Sequence, residues 1–103
     1  MEIQIPVILS SRFGSPTVES LEVVLNRVMD EMVEPEGYDI DCTATLKDHL
    51  VVFNAYADNE PSFDAVFGAV RAALHGAGIA TPGWEISQAS WETDMRRIEL
   101  VAA

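Results

Sequence analysis

Tyr38-Asp-Ile-Asp-Cys-Thr-Ala-Thr-Leu-Lys-Asp-His-Leu-Val-Val-Phe-Asn-Ala-Tyr-Ala57 is the stretch on which the fold turns. Tyr38, Ile40, Cys42, Ala44 and Leu46 alternate with Asp39, Asp41, Thr43, Thr45 and Lys47, the period of a strand with one dry and one wet face. Alternation resumes at Leu50, with Val51, Phe53 and Ala55 on one side and Val52, Asn54 and Tyr56 on the other. Both sides of this second run are partly apolar, as expected of a strand inside a sheet. Lys47-Asp-His49 between the runs is short enough for a hairpin turn, although it lacks the Asn-Gly or Asp-Gly pair that favours one.

The segments flanking this hairpin are helical in period. Upstream, Val18, Leu21, Leu25, Val28, Met29 and Met32 recur at steps of three and four, after a Ser15-Pro16 pair suited to a helix start and before Pro35 and Gly37. Downstream, Phe63, Val66, Phe67, Val70 and Leu74 repeat the pattern, from an Asp58-Asn-Glu-Pro61 entry to Gly76 or Gly78. Beyond the helices the period returns to two. Ile3, Ile5, Val7 and Leu9 form a first strand that carries Pro6 on its other face, and Trp84 to about Trp91 reads as a fourth. Parity slips within that last run, since Trp84 and Ile86 disagree with Trp91. The slip implies a bulge near Ala89 or a Trp91 turned to the opposite face. A short fifth strand fits Met95 to Val101.

Strand–helix–strand–strand–helix–strand, closed by right-handed crossovers, gives a ferredoxin-like α+β domain over residues 1–103. Its four-stranded antiparallel sheet has the order 4-1-3-2 and carries both helices on one face. The other sheet face is left uncovered. Ile8, Val52, Asn54, Tyr56 and Trp91 are expected there, beside Gln4, Asp41 and Thr43, as contacts for a ligand or for a second copy in a homodimer.

The composition narrows what such a domain does. About half of the 103 residues are apolar (49%), which is enough for a core. Seventeen acidic residues against six basic ones leave a net charge of −11, which disfavours direct contact with nucleic acid or an anionic membrane. No apolar run approaches the ~18 residues of a membrane span, and the first residues lack the basic start of a secretory signal. With Cys42 alone, no internal disulfide or paired-cysteine zinc site is available, and a cytoplasmic location is the expectation. There is no Walker loop, G-x-G-x-x-G, G-x-S-x-G elbow or calcium-binding loop. The expectation is therefore a non-catalytic protein with no cofactor and no metal.

Charge is also expected to be polarised. The topology gathers Asp30, Glu31, Glu34, Glu36, Asp39, Asp58, Glu60 and Asp64 at one end, with Glu92 and Asp94 near by. Arg12, Lys47, His49 and His75 fall at the other, where Ser10, Ser11 and Ser15 offer a weak anion site. An acidic end suits a basic protein surface, including that of a nucleic-acid-binding protein. In one version the carboxylates imitate a nucleic-acid backbone, as inhibitors of phage or mobile-element type do.

The layout from Ile3–Leu9 through Glu34-Pro-Glu-Gly-Tyr38 to Val51–Tyr56 also resembles the small dimeric α+β-barrel proteins. Some of those are cofactor-independent monooxygenases of flat aromatic substrates. No catalytic motif of that family has a counterpart here. The resemblance implies a rival reading, a small enzyme or ligand-binding dimer whose first residues of interest are Asn54, Tyr56, Trp91 and His49.

Overall fold

The computed structural model describes residues 2–12, 17–45, 49–57 and 62–95. Along the chain run β1 (Glu2–Ser11), α1 (Val18–Glu31), β2 (Tyr38–Thr45), β3 (Leu50–Ala57), α2 (Phe63–Gly76), β4 (Ile79–Ala80) and β5 (Trp91–Met95). They form one mixed sheet in the order β2-β3-β1-β5-β4, which for the four strands of the βαββαβ frame is the ferredoxin-like order 4-1-3-2. β1 is central. It pairs antiparallel with β3 from Glu2↔Tyr56 to Ile8↔Leu50, and the register runs through Pro6↔Val52 without a break.

Alternation in β1 decides which side is dry. Ile3, Ile5, Val7 and Leu9 are buried beneath the helices with Val51, Phe53, Ala55 and Ile40, whereas Glu2, Gln4, Pro6 and Ile8 are only half-covered. Leu21, Val24 and Val28 of α1 and Phe63, Val66, Val70, Ala73 and Leu74 of α2 close the same core. No helix among the described residues is long and apolar enough to cross a membrane.

Both helices start later than the Ser-Pro and Asp-to-Pro signals imply. Thr17 caps α1: its Oγ1 accepts from the Ser20 amide at 3.1 Å, and the Ser20 Oγ accepts from the Thr17 amide at 2.9 Å. This reciprocal pair satisfies two donors that a helix start leaves free. Ser62 caps α2 through the Ala65 amide. Ser15, Pro16 and Asp58–Pro61 lie outside the described residues, as do Leu46–Asp48 of the hairpin.

The C-terminal third departs most from expectation. Residues 84–90 are not a strand. After α2 the chain turns at Gly78 (φ +88°), lays Ile79–Ala80 parallel to β5 at the sheet edge, and closes a tight turn in which the Thr81 and Trp84 backbones bond each other. Gln88 then adopts φ +65°, a conformation no strand tolerates, so the extended run begins only at Trp91. The parity slip thus marks the border between an irregular segment and a strand. The added strand precedes the fourth frame strand instead of following it, and parallel pairing makes the sheet mixed. Of the fifth strand expected over Met95–Val101, all but Met95 lies outside the described residues.

Candidate interaction surface

Register converts the uncovered sheet face into a map. Across β2, β3 and β1, one row is Asp39–Tyr56–Glu2, the next Asp41–Asn54–Gln4, the next Thr43–Val52–Pro6, and the next Thr45–Leu50–Ile8. The first two rows are acidic and polar and the last two mostly apolar, so the face is divided along the strand direction. Ile8, Val52, Asn54 and Tyr56 lie where the alternation puts them. Trp91 does not. It pairs with Ser11, which shares the parity of Leu9, so its side chain is on the helix side and packs against the core.

The acidic half is internally ordered. Asn54, although only 7% exposed, donates through Nδ2 to Asp41 Oδ1 at 3.1 Å, and Gln4 Nε2 donates to Glu2 Oε1 at 3.1 Å. Tyr56 stands among them 43% exposed. Partial desolvation first, and then the Glu2 and Asp41 carboxylates, hold its phenol above the usual range. Burial, with Asp41 second, likewise raises the Cys42 thiol and leaves it a poor nucleophile.

The eight carboxylates expected at one end separate into groups. Ser62 N donates to Tyr38 Oη at 2.7 Å, which ties the start of α2 to the start of β2 and brings Asp64 to the end that holds Glu34, Glu36 and Asp39. Asp30 and Glu31 are elsewhere. Glu31 Oε2 lies 3.0 Å from the point where a Cβ on Gly76 would sit, so the last residue of α1 meets the last residue of α2. That contact is nearly the length of α2, roughly 18 Å, from Asp64. The two helices therefore meet at their C-terminal ends, which periodicity alone does not reveal. Asp58 and Glu60 lie outside the described residues.

Glu34 has a second role that its charge does not announce. Its Oε2 accepts from the Ile40 amide of β2 at 2.6 Å, and the Pro35 carbonyl accepts from the Tyr38 amide at 3.0 Å. The loop before β2 therefore folds back along that strand's outer edge.

Glu92 belongs to the opposite end. β5 starts seven residues later than expected, so Glu92 faces Ser10 and bonds Arg12 Nε at 3.2 Å, while Arg12 Nη2 lies 3.6 Å from Glu85. His75 and His49 do not form a pair. The His75 ring stacks on Trp84 with centroids 3.7 Å apart, and Arg71 sits 5.1 Å over the same indole. His49 meets β1 through its backbone, accepting from the Leu9 amide. This His75–Trp84–Arg71 stack escaped the sequence reading. Arg71 and His75 are one helical turn apart, but nothing local signals that Trp84 folds back onto them.

The residues of the rival reading are likewise dispersed. Asn54 and Tyr56 are on the uncovered face, His49 is at the hairpin, and Trp91 lines an open cleft of about 390 Å³ against Thr17, Ser20, Val23, Val24 and Arg27 of α1. Among the described residues, no three His, Cys, Asp or Glu side chains are grouped to hold a metal ion. No protein-family model, curated protein or solved structure matches the chain.

Proposed function

We propose that this protein is a non-catalytic interaction module that binds a basic protein surface. One observation carries the reading: the acidic half of the uncovered sheet face sets Glu2, Asp39 and Asp41 around an exposed Tyr56, with no lysine or arginine in those rows. An aromatic ring among carboxylates suits lysine and arginine side chains, which gain a π face and a counter-charge together. Glu36 and Asp64, at the adjoining end, extend the negative field that steers such a partner. The apolar half contributes contact area that charge alone lacks.

A narrower form of the proposal makes the partner a nucleic-acid-binding protein, whose basic groove the carboxylates occupy in place of phosphates. Duplex DNA then competes with the module for that partner.

Charge reversal at two exposed positions tests the reading. Tagged protein is used to capture partners from lysate at low salt, and the bound fraction is released by a salt step. Asp39→Lys with Glu36→Lys is expected to abolish capture of salt-released basic proteins. Glu31→Lys, on the helix side, changes the net charge in the same direction and is expected to leave capture intact. Equal loss in both variants would reduce the effect to overall charge and sink the proposal.

A further inference from the structure

β2 is an outer strand of the sheet, and only half of its free edge is covered. Its ladder with β3 runs without a bulge from Tyr38↔Ala57 to Thr45↔Leu50. In such a ladder, alternate residues direct both backbone groups inward to the neighbour and the others direct both outward. The phase is fixed by Tyr38 and Ile40, whose amides point away from β3 to the Pro35 carbonyl and the Glu34 carboxylate. Cys42 and Ala44 share that phase. Their amides and carbonyls therefore face outward as well, and no described residue bonds them. The loop guards the first half of the edge and stops there.

We propose that the open half of β2, Cys42 to Thr45, takes up an extended cationic segment of a partner as an added strand. This deepens the proposed function and rests on it, by naming how the basic partner is held. An exposed edge is a template for strand addition, in which main-chain bonds supply affinity and alternate side chains supply selectivity. The charge pattern selects the occupant. Asp39 and Asp41 project on the uncovered side of β2, and Asp39 is exposed with no partner among the described residues' bonds. An incoming strand paired along Cys42–Thr45 has Thr43 and Thr45 beside it on the uncovered side, and a lysine or arginine at its end nearest the loop reaches Asp41 at the border of the open half, with Asp39 one step farther along the guarded half. A second copy of this chain is disfavoured at the same edge, because it brings a further net charge of −11 and its own Asp39 and Asp41.

The test uses a seven-residue alternating lysine–valine peptide and a fully N-methylated twin. The twin keeps the charge and the side chains but has no backbone donor to give. Binding is followed at low salt by NMR of ¹⁵N-labelled protein, together with amide hydrogen exchange. The plain peptide is expected to slow exchange at Cys42 and Ala44 and to bind roughly tenfold or more tightly than the twin, since two or three backbone bonds are at stake. Ala44→Pro removes one outward donor without touching the inward ladder, and is expected to weaken the plain peptide alone.

Equal binding of both peptides, with no protection at Cys42 and Ala44, overturns strand addition while leaving the basic-surface reading in place. Failure of both peptides to bind overturns the two together. Protection of Cys42 and Ala44 that grows with protein concentration in the absence of peptide assigns the edge to self-pairing, and overturns the proposal as well.

Discussion

Single side chains in this domain carry tasks that their chemical type does not advertise. Thr93 is 8% exposed on the helix side of β5, and its hydroxyl has no hydrogen-bond partner among the described residues. A buried hydroxyl without a partner forfeits its bonds to water, so Thr93→Val, nearly equal in shape, is expected to stabilise the fold by about 1 kcal/mol. Chemical denaturation reads that gain, and a loss of similar size would show that the hydroxyl is satisfied. Tyr56 offers a test by pH. A phenol held above its ordinary value of 10.0 favours the neutral form in the folded state. Its contribution to stability is thus complete below that value and is lost as pH climbs through the raised native one. Absorbance titration is expected to show Tyr56 ionising later in the folded protein than in the unfolded chain. Asp41→Asn is expected to bring the folded value down, because one of the carboxylates that raise it is gone. Coincident folded and unfolded titrations would contradict the acidic setting of the ring.

Among the elements, those with a strong period were legible and those set by tertiary fit were not. β1, β2, β3 and both helices follow from the spacing of Ile3–Leu9, Tyr38–Ala44, Val51–Ala55, Leu21–Val28 and Phe63–Leu74. Their order fixes the sheet, and with it four of the five expected open-face residues. The region after α2 was misread because tryptophans at 84 and 91 suggest one continuous strand, whereas the positive φ at Gln88 interrupts it. That single error moved Trp91 to the wrong face and Glu92 to the wrong end. The meeting of the helix C-terminal ends was invisible for a different reason, since an amphipathic stripe gives the rotation of a helix about its axis but not where it meets its neighbour. Glu31 was misassigned on that account. Trp91 now belongs to the seam between β5 and α1. Trp91→Ala is expected to cost about 1–3 kcal/mol, less than full burial would give, by widening the cleft against Val24 and Arg27. A denaturation midpoint unchanged within error would mean that the indole supports nothing there.

Across the whole molecule, one surplus of charge acts on two properties in opposite directions. Seventeen carboxylates against six basic groups repel one another in the folded state, and added salt screens that repulsion. Thermal melts are therefore expected to shift upward as sodium chloride rises from low to physiological ionic strength. Over the same range, affinity for a basic partner is expected to fall. Comparing the two series separates self-repulsion from recognition, since both slopes would vanish if the charge were inert. A melting temperature that falls with salt would place more attraction than repulsion on the folded surface.

The central position of β1 has a consequence for the timing of synthesis. Its residues leave the ribosome well before those of β5, yet β5 completes one flank of it, where Val7 meets Met95 and Ser11 meets Trp91. Until that late segment emerges, the nascent sheet has β1 as a bare outer strand, apolar on its helix-facing side. Sheet closure is thereby tied to the emergence of β5, and a chain stalled before Trp91 presents a sticky margin for chaperones to shield.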